Sequence, residues 1–256
     1  MAKLYMNNNK IQKNFKRCRF LASLSLRLFY VDIGIILSLL TFSLNNFRFL
    51  YLIVPLSLLL IIFYLGHLTA SRQAAVLNAG VVGENATRQL IRHLPANFYA
   101  VSNVKIEHEG NKSELDLVVV GPTGVFVIET KNYSGAILGR TDDNTWKRTK
   151  KSDYGQNSTT SFYSPVKQVA THTYRLSKYL KQNKLFVWVQ GAVYFSDSNA
   201  TLKISGNLKK IPVFLADAKI PMKQNRLLKY IKGFSTRKKL SPKTVEKIVK
   251  LLRAAK

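Results

Sequence analysis

The N-terminal part of the chain contains two long apolar runs separated by a short polar stretch. The second run, Phe49–Leu65, has seventeen residues and no charge. At about 1.5 Å per residue, a helix of this length matches the short end of the range that spans the hydrocarbon core of a bilayer. The first run, Leu28–Leu44, is similarly apolar but contains Asp32. The pattern predicts a transmembrane helical hairpin over residues 20–69, in which each helix satisfies its own backbone hydrogen bonds.

The charges that flank these runs predict the orientation of the hairpin. Basic residues are concentrated before the first run and Arg72 follows the second, whereas Arg48 lies near the predicted turn at residues 45–46. The positive-inside rule therefore places both ends of the hairpin in the cytoplasm. An acid within a membrane helix needs a partner, so Asp32 is expected to pair with Arg27 or Arg48. The alternative is a buried helical hairpin in a soluble domain.

Beyond the hairpin, short strand patterns alternate with amphipathic helices, which predicts a mixed α/β domain. Ser164-Pro165 and Ser241-Pro242 each combine an N-cap residue with proline at the first helical position, and helices are predicted to begin there. The predicted strands are 99–106, 114–120, 125–131, 136–138, 186–195 and 211–215, and the predicted helices are 82–94, 165–181 and a last one from 242.

The charge balance narrows the classes of partner. Lysine and arginine number 40 against 13 acidic residues, which gives a formal net charge of +27. This surplus favours a polyanionic partner, either nucleic acid or an anionic membrane surface. A hydrophobic content of 46% excludes disorder over most of the chain. The single cysteine, Cys18, excludes a disulfide framework and a cysteine-based zinc site.

One predicted hairpin carries most of the candidate chemistry. The turn Gly121–Gly124 joins two apolar strands, and symmetric closure would place Asp116 opposite Glu129. It would also place Glu114 opposite Lys131, and all four side chains would share one face of the sheet. Like charges directly opposite each other are destabilising in an apolar hairpin. The two acids therefore predict a divalent cation between them or a shared proton.

This arrangement suggests phosphodiester hydrolysis. A hard cation such as Mg²⁺ takes carboxylate oxygens as ligands and retains water. The ammonium group of Lys131 would project from the same face toward a phosphate or an attacking water, where it offsets developing negative charge. The alternative is a surface ion pair between Lys131 and Glu129 or Glu114 at a strand end.

Several motifs resemble the nuclease-related domain (NERD) family, which is assigned to the PD-(D/E)XK, restriction-endonuclease-like superfamily. The resemblance covers about residues 78–196, and the string E-T-K-N-Y-S-G after an apolar strand is its most specific element. The signature proline is absent, since Leu115 precedes Asp116. The matching motifs are Gly83-Glu84, E-L-D at 114–116, V-F-V-I-E-T-K-N at 125–132, Gly135, Trp146, and Pro165 with Gln168.

The resemblance implies an α/β restriction-endonuclease-like fold, with a mixed central sheet flanked by helices. It implies that Asp116 and Glu129 are metal ligands and that Lys131 is the catalytic lysine. The implied cofactor is Mg²⁺ or Mn²⁺.

Two further polar residues are implicated by the same resemblance. Glu84 would be an additional acid near the metal, although an acid in the first turn of a helix is also favoured by the macrodipole alone. Gln168 would lie near the site and position the substrate or the lysine. We interpret His172, one turn later, as an ordinary polar residue of that helix.

The polar stretch 140–164 contains a candidate nucleic-acid interface. Cations mixed with flat rings can neutralise phosphates and stack unpaired bases. A solvated, mobile loop explains the same composition, and the basic tail 219–256 could contact either phosphates or lipid headgroups. The candidate binding residues are Trp146, Lys147, Arg148, Lys150 and Lys151.

Together these observations predict a bacterial membrane-anchored nuclease that acts on DNA, or less favourably RNA, at the cytoplasmic face of the cell membrane. Its partners would be nucleic acid and the lipid bilayer. The alternative is a non-catalytic nucleic-acid-binding or membrane-organising module that retains the nuclease fold. The predicted divisions are a basic N-terminal segment 1–19, the hairpin 20–69, a linker 70–79, a nuclease-related domain 80–218 and a basic helical tail 219–256.

Overall fold

The structure is a computed structural model that describes residues 1–7, 9–43, 51–151, 156–235 and 239–255. The chain forms two compact units. One consists of Lys10–Val81, and the other combines Met1–Asn9 with Val82–Lys256. The predicted turn at residues 45–46 and Arg48 lie outside the described residues.

The first unit is built from two long apolar helices, α1 (Lys10–Ser43) and the N-terminal part of α2 (Ile53–Ile91). Both are long and apolar enough to cross a membrane. Asp32 is buried in this unit and Arg27 is exposed, and among the described residues the expected ion pair between them is not formed.

Residues 70–79, predicted as a linker, are helical, because α2 continues without interruption from Ile53 to Ile91. Residues 70–79 are rich in good helix formers and contain neither glycine nor proline, so nothing in them ends the helix. The helix predicted from residue 82 is therefore the last part of α2, and α2 contributes to both units.

The second unit contains two sheets and the remaining helices. Its helices are α3 (Pro165–Gln182), α4 (Arg226–Gly233) and α5 (Pro242–Ala254), with a 3₁₀ turn at Met222–Gln224. Its strands are β1 (Lys3–Met6), β2 (Tyr99–His108), β3 (Asn111–Gly121), β4 (Gly124–Lys131), β5 (Gly135–Arg140), β6 (Thr145–Lys151), β7 (Asn157–Tyr163), β8 (Val189–Phe195), β9 (Ala200–Ser205) and β10 (Val213–Leu215).

The larger sheet has six strands in the order β1-β2-β3-β4-β8-β10. Its centre, β2-β3-β4, is antiparallel, and the pairs β1-β2, β4-β8 and β8-β10 are parallel. Both faces are covered, because the central strands are apolar over continuous runs and successive side chains point to opposite faces. The end of α2 and α4 pack on one face, and α3 and α5 pack on the other. The predicted fold class, two apolar N-terminal helices followed by a mixed sheet flanked by helices, is confirmed.

The smaller sheet has four strands in the order β7-β6-β5-β9. It includes most of the stretch 140–164, for which a solvated loop was one of two interpretations and no strand was predicted. One face of this sheet packs on a cluster that contains Ile137, Trp146 and Val169. The Trp146 side chain is fully buried, and its Nε1–H donates to the Arg140 carbonyl at 2.9 Å. Burial of this tryptophan is what turns a polar stretch into paired strands.

The two ends of the chain belong to the same unit, unlike the separate terminal segments predicted at 1–19 and 219–256. Strand β1 pairs in parallel with β2, from Lys3 opposite Tyr99 to Met6 opposite Ser102. Helices α4 and α5 place their apolar faces in the two cores of the larger sheet. Charge dominated the sequence pattern at both ends and concealed their buried residues.

Candidate active site

The β3-β4 hairpin closes symmetrically, as predicted. Its paired positions run from Gly121 opposite Gly124 to Leu117 opposite Ile128. Asp116 and Glu129 occupy the next position, where the ladder ends and the backbone N–H of Thr130 donates to Oδ2 of Asp116 at 3.1 Å. Glu129 is almost fully buried, with 2% exposure. The two acids therefore lie together at one end of the central strands.

Glu114 does not reach the position expected for it. The pairing of β3 with β4 stops before this residue, whose backbone instead pairs with Lys105 of β2. Its side chain is exposed, so the predicted arrangement of Glu114 opposite Lys131 is wrong. Its charge still contributes to raising the pKa of Asp116, after the larger effects of burial and Glu129.

Lys131 connects the acids to helix α3. Its Nζ donates to Oε1 of Glu129 at 2.6 Å and to Oε1 of Gln168 at 3.1 Å. Gln168 is in the first turn of α3, whose start is fixed by the N-cap Ser164. The neighbourhood predicted for Gln168 is thus present in the structure, where the amide oxygen holds the ammonium group beside Glu129.

His172 is a site neighbour that the sequence analysis missed. It follows Gln168 by one helical turn, and its Nδ1 lies 3.7 Å from Oε2 of Glu129. Burial lowers the pKa of His172 to about 4, and the charges of Arg175 and Lys131 act in the same direction. The imidazole is therefore neutral near pH 7. The spacing of four residues was the signal, since it places both side chains on one helix face.

Glu84 reaches the site because α2 packs closely against the ends of two strands. A Cβ atom at Gly83 would lie 2.6 Å from the Cβ of Asn132, so only glycine permits this approach. Glu84 is buried, and its Oε2 accepts a hydrogen bond from Nδ2 of Asn9 at 3.0 Å. Nη1 of Arg88 lies 3.8 Å from the same oxygen. The contact with Asn9 joins residues 75 positions apart and had no local sequence signal.

Three carboxyl groups share this poorly solvated region. Burial, and after it the charge of Glu129, raises the pKa of Asp116 to about 8. Burial also raises the pKa values of Glu129 and Glu84. Burial alone would lower the pKa of Lys131, but the neighbouring charges of Glu129 and Asp116 leave it above its ordinary value. The lysine therefore stays charged beside Glu129 and near Asp116, while Arg88 is the cation next to Glu84.

The donor set at Asp116 and Glu129 is compatible with a hard divalent cation. Oε2 of Glu129 is buried and, within the described ranges, accepts no hydrogen bond. Mg²⁺ commonly takes one or two carboxylates and completes its octahedron with water. In the part of the chain that the structure describes, no three acidic, histidine or cysteine side chains converge on one point. One oxygen of Glu84, which is predicted as a further acid near the metal, accepts a hydrogen bond from Asn9.

The predicted nucleic-acid-binding residues of β6 divide between the two sides of the strand. Trp146 faces the core and is buried, so its expected stacking on bases is wrong. Arg148 also faces inward: its Nε donates to the Ser134 carbonyl at 2.9 Å, and its guanidinium lies 5.0 Å from the centre of the Tyr133 ring. The other three residues, Lys147, Lys150 and Lys151, are exposed.

Comparison with known proteins agrees with this architecture. The family model described as "Nuclease-related domain" matches residues 79–196. An uncharacterized protein of Bacillus anthracis is 35% identical over 95 residues, which is 35% of this chain and 44% of the relative. The chain thus spans less than half the length of that relative. No solved structure matches.

The matched segment contains the structural elements that hold the site. It begins in the last part of α2 and extends through β8, so it includes Glu84, Asp116, Glu129, Lys131 and Gln168. Asn9 and the edge strand β1 lie outside it. Residues 79–196 of this chain thus match the nuclease-related domain family, and the match includes the side chains of the candidate site.

Proposed function

We propose that this protein is a divalent-metal-dependent nuclease that hydrolyses phosphodiester bonds, with DNA preferred over RNA. The observation that carries the proposal is the pairing of the buried Glu129 carboxylate with Lys131 at 2.6 Å, next to a second carboxylate whose pKa is raised to about 8. Carboxyl groups are costly to bury, and buried groups with a strongly shifted pKa are concentrated at functional sites. The family assignment gives independent support to a nuclease-related role.

Each side chain has a chemical role in this proposal. Asp116 and Glu129 would hold Mg²⁺ or Mn²⁺, which supplies Lewis acidity and lowers the pKa of bound water. The ammonium group of Lys131 offsets negative charge that develops on the phosphoryl oxygens. Gln168 orients that ammonium group through its amide oxygen. The neutral imidazole of His172 adds no positive charge beside Glu129, so that carboxylate remains a strong ligand.

The test uses the full-length chain in detergent, with labelled DNA and RNA, in Mg²⁺, Mn²⁺ or EDTA. We expect metal-dependent cleavage that EDTA abolishes. The Glu129→Gln variant should lose activity by about 10²-fold or more, because a ligand is lost and Lys131 loses its charged partner. Glu246→Gln removes an exposed acid on α5 and should cleave like the wild type.

Two outcomes would count against the nuclease proposal. Binding of DNA without cleavage in either metal would favour the non-catalytic module that retains the nuclease fold. Equal cleavage by the wild type and Glu129→Gln would mean that any activity arises elsewhere in the chain.

The chain topology supports anchoring in the cell membrane with the second unit in the cytoplasm. Strand β1 precedes the two apolar helices and its partner β2 follows them, so pairing of Lys3 with Tyr99 requires both ends of a membrane hairpin on one side. The basic residues before α1 select the cytoplasmic side. Exposed apolar side chains along both helices, such as Leu37 and Ile62, suit contact with lipid.

The single cysteine offers a direct test of this topology. Cys18 is free and lies near the start of α1. In intact cells, a membrane-impermeant maleimide should leave Cys18 unlabelled and should label it after permeabilisation. A Cys18→Ser, Asn46→Cys variant should show the opposite pattern, because the turn would face outward. Labelling of Cys18 in intact cells would contradict the proposed orientation.

A further inference from the structure

The smaller sheet has one covered face and one open face. Its inner face carries Ile137 and Trp146 into the core. The opposite face, here called the outer face, consists of the even-numbered residues of β5 and the odd-numbered residues of β6, β7 and β9, because side chains alternate along each strand. All of its members are exposed except Ala136 and Thr149, which are half-buried.

The charges of the outer face have one sign. Its charged residues are Arg140, Lys147, Lys151 and Lys203, and it contains no aspartate or glutamate. Most of its other members are serine, threonine, asparagine or tyrosine. Such a face presents hydrogen-bond donors and positive charge over four adjacent strands, with nothing on it to repel an anion.

The strand register places two of these lysines in one row. Leu138 of β5 pairs with Lys147 of β6 on one side and with Lys203 of β9 on the other. Because neighbouring strands are about 4.8 Å apart, the two lysine backbones are separated by about 10 Å. Ser161 of β7 continues the row beyond Lys147. The row is therefore a strip of cations and hydroxyl groups that crosses the sheet.

We infer that the outer face is the docking surface for the phosphate backbone of a polynucleotide; this inference rests on the proposed nuclease function. Lysine, arginine and hydroxyl side chains are the usual contacts to phosphate oxygens, and they position a nucleic acid without reading its sequence. The large apolar side chains exposed on this face are Leu138 and Tyr163. A surface that inserts into lipid needs more apolar anchors than these, so charge and composition favour nucleic acid over a bilayer.

The chain connections link this sheet to the site. Strand β5 begins four residues after Lys131, and α3, which carries Gln168, begins directly after β7. Strand β9 follows β8 closely, and in that connection the backbone N–H of Ser196 donates to the Lys131 carbonyl at 2.9 Å. The β4–β5 and β8–β9 connections meet the smaller sheet at the end where Lys131 lies, whereas β7 runs into α3 at the opposite end, where Tyr163 pairs with Thr145. A polynucleotide held on the outer face is thereby kept close to the proposed hydrolytic groups.

The test measures binding separately from cleavage. The full-length chain in detergent, carrying Asp116→Asn to prevent cutting, is titrated with fluorescein-labelled duplex DNA at several salt concentrations. Adding Lys147→Glu and Lys203→Glu should weaken the affinity at least about 10-fold and reduce the magnitude of the salt slope by about 2. The matched control, Lys229→Glu with Lys247→Glu, makes the same charge change at exposed positions of α4 and α5 and should alter affinity less than about 3-fold.

The other outcomes distinguish this inference from its rivals. Equal weakening by both pairs would show that only net charge matters and would overturn the inference. Retained DNA affinity with lost binding to phosphatidylglycerol vesicles would identify the outer face as a lipid surface instead. In a background with the native Asp116, the Lys147/Lys203 pair should hydrolyse bis(p-nitrophenyl) phosphate at the unaltered rate. If the Lys147/Lys203 variant lost this small-substrate activity, the lysines would belong to the hydrolytic site and the inference would be overturned. If the wild type itself had no such activity, the result would count against the proposed function.

Discussion

Replacement of Lys131 by methionine is expected to lower the rate of phosphodiester cleavage by about 10²- to 10³-fold, the effect of removing one preorganised charge from a hydrolytic site. Methionine keeps most of the apolar stem but removes the ammonium group that lies 2.6 Å from Glu129 and 3.1 Å from Gln168. The protein should still fold and should still bind DNA, because the lysine is enclosed by the site and contributes little to the basic surface. The loss should therefore appear in kcat and leave KM almost unchanged.

The measurement is the initial rate of DNA cleavage by the full-length chain in detergent with saturating Mn²⁺. Lys181→Met is the control, since that lysine is exposed near the C-terminal end of α3. A Lys131→Met rate within about threefold of the wild type would exclude a direct role for the ammonium group, because a group stabilising the transition state contributes far more.

Replacement of Asp116 by asparagine is expected to stabilise the metal-free protein while abolishing its cleavage of DNA. Asp116 lies in a poorly solvated position near Glu129, and its pKa is raised from 3.8 to about 8. The folded form therefore retains a proton that the unfolded form releases above about pH 4. Stability of the metal-free wild type accordingly falls as the pH rises from about 4 to 8 and then levels off. Asparagine has almost the same shape, can still accept the Thr130 N–H, and carries no charge.

Thermal unfolding in EDTA at pH 5 and pH 8 provides the measurement. A gain of about 1–2 kcal/mol at pH 8 corresponds to roughly 2–8 °C in Tm, and the gain should be smaller at pH 5. Mn²⁺ should raise the Tm of the wild type and leave Asp116→Asn unchanged. Asp142→Asn, at an exposed position, is the control. A lower Tm for Asp116→Asn than for the wild type in EDTA would show that this carboxylate serves the fold and would contradict a role as metal ligand.

The central hairpin could be predicted because its information is local. Two continuous apolar runs flank the short turn Gly121–Gly124, and the length of that turn fixes the register that places Asp116 near Glu129. The start of α3 was equally well defined by Ser164 and Pro165, which fixes the rotational position of Gln168 on its helix. The two elements that carry the hydrolytic groups are thus specified by neighbouring residues.

The elements that were missed depend on partners far away in the chain. Strands β6 and β7 carry few apolar residues, and their pairing relies on burial of Trp146 against α3 and β9. Strand β1 has four residues and no pattern of its own, and its only signal is the edge of β2 almost a hundred positions later. The contact between Asn9 and Glu84 has the same origin. A single sequence gives no direct measure of such distant contacts.

The position of β1 in the chain has a consequence for biosynthesis. Strand β1 leaves the ribosome before either long helix, whereas its partner strand β2 is synthesised only after both helices. Until β1 pairs with it, β2 presents an unpaired edge that can pair with strands of other molecules. The β1–β2 pairing joins residues far apart in the chain and is therefore expected to form late in folding. A fusion partner placed next to Lys3–Met6, or deletion of these four residues, should therefore reduce the yield of native protein. This is expected even though β1 lies outside the matched segment 79–196.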